Sequence, residues 1–244
     1  MSTAPEILRV SPLHFLITAG PTREPIDPVR YISNRSSGKM GYAIAIAAAE
    51  RGHLVQLVSG PVSLQPIRHP RVETVNVETA REMYLAVAAR LREVQVAVMA
   101  AAVSDYRPRT AADRKIKKSA QDELVIELEK TEDILGSARS PLGFEGVLVG
   151  FAAETDRVAE YAREKLERKK CDLVVANDVS RRDIGFDAED NELSLFFADG
   201  ETAFLPKASK PELAFRLIEL MEALVRSKGA ADKPEDEREL PDHC

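Results

Sequence analysis

The chain has 244 residues, of which 44% are hydrophobic and 30% charged, and its formal net charge is −6. This balance is typical of a globular protein with a large core and excludes a chain that is disordered throughout. Residues 230–244 hold six acidic and two basic side chains and so supply −4 of the net charge. The rest of the chain is near neutral, which argues against a dedicated nucleic-acid-binding protein.

Apolar runs in this sequence are too short to cross a bilayer. The longest, Ala43 to Ala49 and Val96 to Val103, fall far short of the roughly 18 residues that a membrane helix needs. The N-terminus lacks a secretory signal, and Cys171 and Cys244 lack the spacing of a zinc site or a disulfide framework. We therefore expect a cytoplasmic protein without a membrane span.

The first part of the chain alternates predicted strands and helices. Buried strands are predicted at His14 to Ala19, Leu54 to Ser59, Val72 to Val77 and Val96 to Ala101. Helices are predicted at Gly38 to Arg51 and, from a capping box of Thr79 and Glu82, to about Val94. This alternation predicts an α/β fold with a parallel sheet.

The second part continues the alternation and ends it with a hairpin. A strand at Gly146 to Phe151, a helix at Arg157 to Lys170 and a strand at Asp172 to Ala176 are predicted first. The Asp199-Gly200 turn then predicts a β-hairpin of Leu193 to Ala198 and Thr202 to Leu205. A capping box of Ser209 and Glu212 starts a last helix that ends near Arg226. We expect one domain, residues 1–227, and a disordered acidic tail, residues 228–244.

A long polar loop joins the first strand to the first helix. Ser36, Ser37 and Gly38 stand where that helix begins, so their hydroxyls and backbone N–H groups are candidates for holding phosphate. The alternative is a serine N-cap beside a turn glycine. The loop lacks the P-loop spacing around Gly38, and Gly20 is not followed by the glycines of a nicotinamide fingerprint.

Further candidates follow the later strands. Asp105, after the strand that begins at Val96, is placed to meet a metal-bound phosphate. The basic run Arg114 to Lys118 offers a lysine for neutralising a phosphoryl group. Tyr161 and Lys165 match the YxxxK spacing of short-chain dehydrogenases, whereas Lys165 and Lys169 at i and i+4 present two cations on one helix face.

Several segments, in this order, resemble bacterial phosphopantothenoylcysteine synthetase. They are Gly20 to Asp27, Ile32 to Gly41, Ala101 to Tyr106, Lys115 to Lys118, Gly150 to Thr155 and Ala176 to Val179. The resemblance runs from about His14 to Leu220 and implies a Rossmann-like parallel sheet with flanking helices and an appended hairpin for dimerisation. Because only thirteen residues precede His14, it implies a stand-alone synthetase without a flavin, and a separate decarboxylase as a possible partner.

The resemblance also implies an activity. Enzymes of this family join 4'-phosphopantothenate to L-cysteine in coenzyme A synthesis, using CTP with Mg²⁺ in the bacterial branch and passing through an acyl-cytidylate. Lys115 matches the lysine needed to form that intermediate, while Asn34 and Arg30 match residues needed to convert it to product. Asp105 would meet the metal.

The expected nucleotide contacts are spread along the chain. They are Gly20, Ser36, Ser37, Gly38, Met99, Ala100, Ala101, Asp105, Lys115, Glu132, Asp133, Ile134, Leu135, Phe151, Lys165 and Lys169. Glu132 departs from the proline common in the family. The resemblance further implies a homodimer and a flap at Lys115 to Lys118.

Two other hypotheses remain beside the ligase. One is a short-chain NAD(P)-dependent oxidoreductase that uses Tyr161 and Lys165. The other is a nucleotide-sensing protein that binds CTP without turning it over. The first predicts binding of NAD(P)H, and the second predicts that no pyrophosphate is released.

Overall fold

The structure is a computed structural model that describes residues 11–117, 123–180 and 188–231. The strands are β1 (His14–Ala19), β2 (Arg23–Pro25), β3 (Tyr31–Ser33), β4 (Leu54–Ser59), β5 (Val72–Asn76), β6 (Val96–Met99), β7 (Tyr106–Pro108), β8 (Leu128–Lys130), β9 (Val147–Glu154), β10 (Leu173–Asp178), β11 (Asp190–Phe197) and β12 (Thr202–Ser209). The helices are α1 (Lys39–Glu50), α2 (Ala80–Arg90), α3 (Ile134–Arg139), α4 (Val158–Lys169) and α5 (Lys210–Ala231).

An eight-stranded sheet runs in the order β12-β11-β10-β9-β6-β1-β4-β5. From β10 to β5 neighbouring strands are parallel, and their order along the chain reverses at β1, which lies between β4 and β6. This is the strand order of a dinucleotide-binding fold, in which ligands bind where the order reverses. The predicted Rossmann-like α/β fold is confirmed.

The predicted hairpin extends the sheet at one edge. β11 pairs antiparallel with β10, and β12 pairs antiparallel with β11. Gly200 has φ +92°, and Asp199 Oδ1 accepts a hydrogen bond of 2.9 Å from the Glu201 N–H, so the turn forms where it is predicted. Both strands are longer than the sequence indicates, reaching Asp190 and Ser209. The hairpin's role in dimerisation stays a prediction.

The sheet is covered on both faces. Phe15 and Ile17 of β1 belong to a core shared with α1 and α5, while Leu16 faces a second core with α2, α3 and α4. Successive side chains of the strand thus pack into the cores on opposite faces of the sheet, as strand geometry requires. None of the helices in the described ranges combines the length and apolarity needed to cross a membrane.

Some boundaries differ from the predicted ones. α2 ends at Arg90 and continues as a 3₁₀ turn, and β6 ends at Met99 because the backbone beyond it leaves the sheet toward β1's loop, where Ala102 bridges Pro21. α5 continues to Ala231, so residues 228–231 are helical and do not belong to a disordered tail. The remainder of the predicted tail lies outside the described residues.

Two small hairpins, β2 with β3 and β7 with β8, were not predicted. Their strands have only three residues each, too few to establish a period-two pattern in the sequence. They matter because Arg30 lies in the loop of the first hairpin, Lys115 lies in the loop of the second, and Arg107 of β7 binds Glu132.

Candidate active site

A cavity of about 830 Å³ lies at the carboxyl ends of β1, β6, β9 and β10. It occupies the place where the strand order reverses, so the loops that leave neighbouring strands converge on it. Of the predicted nucleotide contacts, fourteen line it: Ser36, Ser37, Gly38, Met99, Ala100, Ala101, Asp105, Glu132, Asp133, Ile134, Leu135, Phe151, Lys165 and Lys169.

The beginning of α1 forms one wall. Gly38 has φ +78° and no side chain caps the helix, while the Ser36 hydroxyl accepts a hydrogen bond of 3.3 Å from the Gly38 N–H. The N–H groups of the first turn are therefore not used by a capping side chain, and they carry the positive end of the helix dipole. The serine N-cap alternative is wrong, because Gly38 occupies the N-cap position.

Gly20 does not line the cavity, and its nucleotide contact stays a prediction. It lies behind Gly38, where a Cβ on Gly38 would come within 3.3 Å of the Gly20 Cα. Gly20 has φ +76° and its carbonyl accepts a hydrogen bond from the Ala102 N–H at 2.9 Å. A Cβ on Gly20 would itself lie 2.7 Å from Val62 Cγ1 and 3.1 Å from the Gly60 carbonyl oxygen, so the glycine allows its loop to pack closely against the loop after β4.

The backbone after β6 forms the floor of the cavity. The Ala101 N–H donates to the Thr18 hydroxyl at 3.1 Å, and Asn34 Nδ2 donates to the Ala102 carbonyl at 3.0 Å. Small side chains at Ala100 to Ala102 leave room for a ligand against this backbone. The Asn34 amide is thereby held at the cavity wall with its oxygen available to a ligand.

The opposite wall is built by α4 and α3. Lys165 Nζ donates to the Phe151 carbonyl at 2.9 Å, and burial lowers the pKa of this lysine although the charge of Glu154 opposes the shift. Lys169 forms an ion pair with Asp133, which also caps α3 by accepting from the Gly136 N–H at 2.9 Å. Two lysines one helical turn apart thus face the cavity, as the i, i+4 spacing predicts.

Glu132 is held in an ion-pair cluster. Its carboxylate accepts two hydrogen bonds from Arg107 Nη1, at 2.9 and 3.1 Å, and Arg81 Nη1 lies 3.4 Å from Oε1. Burial favours the neutral acid, but the hydrogen bonds and the charges of these arginines outweigh it and lower the pKa of Glu132. The glutamate therefore stays anionic, and its arginine partners offset its charge at the cavity rim.

Asp105 is the residue expected to bind magnesium, and its position can be compared with that expectation. It is exposed and lines the cavity, while its backbone carbonyl accepts from the Thr131 N–H at 3.0 Å and so fixes its position. Within the described ranges no cluster of three or more His, Cys, Asp or Glu residues could hold a metal alone. Mg²⁺ commonly binds through one or two carboxylates and substrate phosphates, and this residue fits that pattern.

Neither Arg30 nor Lys115 is among the residues that line the cavity, so their catalytic roles stay predictions. Arg30 binds Asp27, with NH2 to Oδ2 at 2.6 Å, and also donates to the Ile116 carbonyl at 3.2 Å. The same Asp27 oxygen accepts from the Ile116 N–H at 3.1 Å. Lys115 is exposed, and these contacts hold the backbone of its neighbour Ile116. The predicted flap continues to Lys118, which lies outside the described residues.

The cavity also contains residues that the sequence analysis did not select. The polar ones are Thr18, Lys39, Tyr106, Lys130, Thr131, Glu154, Arg168, Asn177, Asn191 and Lys210. Asn177 follows a predicted strand at the same sheet edge, and this position could have singled it out. Asn191 and Lys210 carry no such signal, because an antiparallel hairpin brings them to the cavity.

The geometry gives no support to the oxidoreductase hypothesis. Tyr161 Oη contacts Arg157, whereas Lys165 Nζ contacts the Phe151 carbonyl. Only Lys165 of the pair lines the cavity. In the described part of the chain the tyrosine and lysine do not form the hydrogen-bonded pair that a dehydrogenase would use.

Comparison with known proteins agrees with this outcome. Residues 10–224 match the family described as DNA/pantothenate metabolism flavoprotein C-terminal domain. The chain is 51% identical over 209 residues to the coenzyme A biosynthesis bifunctional protein CoaBC of Escherichia coli strain K12, covering 85% of this chain and 51% of that protein. The same protein of Vibrio vulnificus strain CMCP6 is 50% identical over 212 residues, covering 86% and 52%.

A solved structure supports the same relationship. The crystal structure of the C-terminal domain of coenzyme A biosynthesis bifunctional protein CoaBC has a TM-score of 0.75 and 41% identity, covering 90% of this chain and 98% of that one. The chain spans about half the length of the curated relatives it matches. The stand-alone character stays a prediction, since these relatives are bifunctional.

Proposed function

The chain belongs to the DNA/pantothenate metabolism flavoprotein C-terminal domain family, and on this premise we propose that it ligates 4'-phosphopantothenate to L-cysteine at the expense of CTP. The observation that carries the proposal is that one cavity is lined by the uncapped start of α1, the Asn34 amide and the lysines of α4. Such a cavity suits a reaction between two anions, because cations and N–H donors surround it.

In the first half-reaction a carboxylate oxygen of 4'-phosphopantothenate attacks the α-phosphorus of CTP. A new O–P bond forms, the bond from the α-phosphorus to the bridging oxygen breaks, and pyrophosphate leaves. Lys115 is the residue we assign to the charge that builds on the phosphoryl group, since an ammonium can neutralise it. The hydrogen bond from the Ile116 N–H to Asp27 holds the backbone next to this lysine.

In the second half-reaction the amine of L-cysteine attacks the acyl carbon. A C–N bond forms, the bond from the acyl carbon to the cytidylate oxygen breaks, and CMP leaves while the amine loses a proton. Asn34 is assigned to hold the acyl group, because a neutral amide provides hydrogen bonds without adding charge. Arg30 is assigned to the same step, and its pairing with Asp27 makes it a positioned cation.

Mg²⁺ would be held by Asp105 and would supply charge neutralisation on the nucleotide phosphates. The Lys165 and Lys169 side chains would contact the nucleotide from α4, next to Phe151. As part of the same proposal, the chain prefers CTP to ATP, forms a homodimer and works in the cytoplasm. A separate decarboxylase catalyses the next step.

The test is release of pyrophosphate by the purified chain with 4'-phosphopantothenate and Mg²⁺, comparing CTP with ATP. The ligase requires release that depends on 4'-phosphopantothenate, with continued turnover only when L-cysteine is present. The faster nucleotide identifies the preferred substrate.

Two outcomes would contradict the proposal. If CTP binds and no pyrophosphate is released under any condition, the chain is a nucleotide-sensing protein. If neither nucleotide binds, the assignment of the cavity fails as a whole. Omission of Mg²⁺ in a parallel reaction checks the metal requirement separately.

A further inference from the structure

A second cavity, of about 690 Å³, lies beside the strands that the first cavity does not use. It is lined by Ser59 and Asn76, the last residues of β4 and β5. Among the described residues, none lines both cavities. Val62 lines the second cavity and packs against the loop between β1 and α1, because its Cγ1 would lie 2.7 Å from a Cβ on either Gly20 or Gly38.

The strand order gives this second cavity a place in the fold. A dinucleotide-binding sheet consists of two halves that meet where the strand order reverses, and each half takes one nucleotide. The first cavity lies against β6, β9 and β10, whereas β4 and β5 belong to the other half of the sheet. The second cavity therefore occupies the position of a second nucleotide site, and its volume is in the range of small-molecule sites.

Arg23 supplies a cation to the second cavity. Its side chain is half-buried, and its Cζ lies 4.6 Å from the centroid of the Tyr31 ring. With the residues of the described ranges its guanidinium makes no hydrogen bond and no ion pair, so the N–H groups at its edge are available to a ligand. The Arg23 N–H donates to the Glu78 carbonyl at 2.8 Å, which fixes the backbone of this arginine. An arginine held in this way suits a phosphate group.

Two buried hydroxyl groups belong to the same wall. Tyr42 is 8% exposed and Ser59 is 1% exposed, and both line the second cavity. Their oxygens lie 3.0 Å apart, and Ser59 Oγ donates to the Gly60 carbonyl at 2.9 Å. Because the hydroxyl hydrogen of Ser59 is used in that bond, Tyr42 donates to Ser59, and Tyr42 Oη keeps a lone pair that can accept from a ligand.

The remaining wall combines carboxylates with aliphatic side chains. Glu82 Oε2 accepts from the Glu78 and Thr79 N–H groups, at 2.7 and 3.4 Å, whereas the exposed Glu78 carboxylate has no partner in the described part of the chain. The Glu78 carboxylate can therefore accept hydrogen bonds from hydroxyl groups. The aliphatic residues provide an apolar surface for a planar base, and they are Val62, Leu64, Ile67, Val72 and Val77.

We propose that the second cavity binds a nucleoside 5'-monophosphate, with the phosphate on Arg23, the ribose hydroxyls on Glu78 and the base against the aliphatic residues. One arginine stands beside two glutamates among the lining residues, so a single phosphate fits this cavity better than a triphosphate. This inference goes beyond the proposed function, because CTP and 4'-phosphopantothenate are assigned there to the first cavity.

The experiment measures binding of AMP by calorimetry to the wild-type chain, to Arg23→Met and to Lys165→Met. Adenosine measures the share of the phosphate, and CTP with Mg²⁺ reports on the first cavity. We expect Arg23→Met to weaken AMP binding by about tenfold to a hundredfold, with the affinities for adenosine and CTP unchanged. Lys165→Met should show the reverse pattern, with weaker binding of CTP and unchanged binding of AMP.

Arg68→Met is the matched control, because Arg68 is an exposed arginine of the loop after β4 that does not line the second cavity. It should leave the affinities for AMP and CTP unchanged. If Arg23→Met fails to fold, Ile67→Trp decides, since an indole at this loop position should fill the second cavity and abolish AMP binding while CTP still binds.

Two results would overturn the second site. One is the absence of saturable AMP binding to the folded wild-type chain at millimolar concentration. The other is an AMP affinity that falls in Lys165→Met and not in Arg23→Met, because AMP would then occupy the first cavity. Loss of CTP binding by the wild-type chain while AMP still binds would contradict the proposed function and support the second site.

Discussion

The Asp27 carboxylate binds Arg30 and the backbone of Ile116 through one oxygen, with Oδ2 lying 2.6 Å from Arg30 NH2 and 3.1 Å from the Ile116 nitrogen. Its other oxygen accepts from the Val29 and Arg30 N–H groups, both at 2.9 Å. One side chain therefore shapes the turn that presents Arg30 and attaches the loop that carries Lys115. Two residues assigned to different half-reactions share a single anchor.

Replacing Asp27 by Asn should release this loop, since an amide cannot accept the same set of charge-assisted hydrogen bonds. We expect faster tryptic cleavage at Arg114, Lys115 and Lys117 in Asp27→Asn than in the wild-type chain, measured by limited proteolysis and mass spectrometry. Asp113→Asn is the control, because Asp113 is exposed in the same loop. Equal cleavage rates in all three proteins would show that Asp27 does not hold the loop.

The contribution of Asp27 to the stability of the folded chain should decrease at acidic pH. The hydrogen bond from Arg30 is the largest cause that holds the pKa of Asp27 well below its usual range, with burial opposing it and the N–H groups of Val29, Ile116 and Arg30 adding to it. A carboxyl with a depressed pKa stabilises the folded state fully above the unfolded value of about 3.9, and this contribution declines as the pH falls toward the folded value. In thermal melts, the stability gap between wild type and Asp27→Asn should be constant from pH 7 to 5 and shrink below pH 4. A gap that widens in acid would contradict the assigned ionisation.

Lys165 should make nucleotide binding sensitive to alkaline pH. Burial lowers the pKa of this lysine, so it loses its charge at a lower pH than an exposed lysine, and its attraction for phosphate falls with it. We expect the KM for CTP to rise between pH 8 and 10 in the wild type. Lys165→Arg keeps its charge throughout and should show no such rise, whereas Lys165→Met should raise KM by about tenfold to a hundredfold at pH 7.5. Parallel pH profiles for wild type and Lys165→Arg would assign the titration to another group.

Variants at Asn34 and Lys115 should separate the two half-reactions. Lys115→Gln removes the charge assigned to the first step, so pyrophosphate release should fall by two orders of magnitude or more, about the effect of losing one transition-state donor. Asn34→Asp should still release one equivalent of pyrophosphate in a burst and then fail to turn over with L-cysteine. Rapid-quench measurement of pyrophosphate distinguishes these patterns. Identical behaviour of the two variants would mean that they act in one step.

Gly41 should tolerate no side chain. A Cβ at this position would lie 2.6 Å from the Ala19 Cβ, so α1 would have to move away from β1 and shift the helix start at the cavity. Overpacking of this kind costs about 1–3 kcal/mol, and Gly41→Ala should lower Tm and weaken CTP binding. Gly229→Ala is the control, because Gly229 is helical with no heavy atom within 4 Å of a new Cβ, and it should leave both quantities unchanged or raise Tm slightly.

The strands of the sheet and most of the cavity could be predicted because their signals are local. An apolar run predicts a buried strand, and small or polar residues directly after it predict that a ligand binds at the strand's carboxyl end. The segment from Val96 to Asp105 is an example. Gly20 shows the limit of this reasoning, since this glycine allows two loops to pack closely and does not line the cavity. Asn191 and Lys210 show another, because nineteen positions and a hairpin separate them and only the antiparallel pairing brings them together.

The cavity draws on almost the whole described chain, from Thr18 in the first strand to Lys210 at the start of the last helix. No contiguous fragment that ends before the hairpin contains a complete site. During synthesis, the nascent chain therefore acquires a complete ligand site only after the ribosome has made more than 200 of its residues. Ligand binding can report on completion of folding, and a prematurely ended product would lack the complete cavity even if its first strands had already paired.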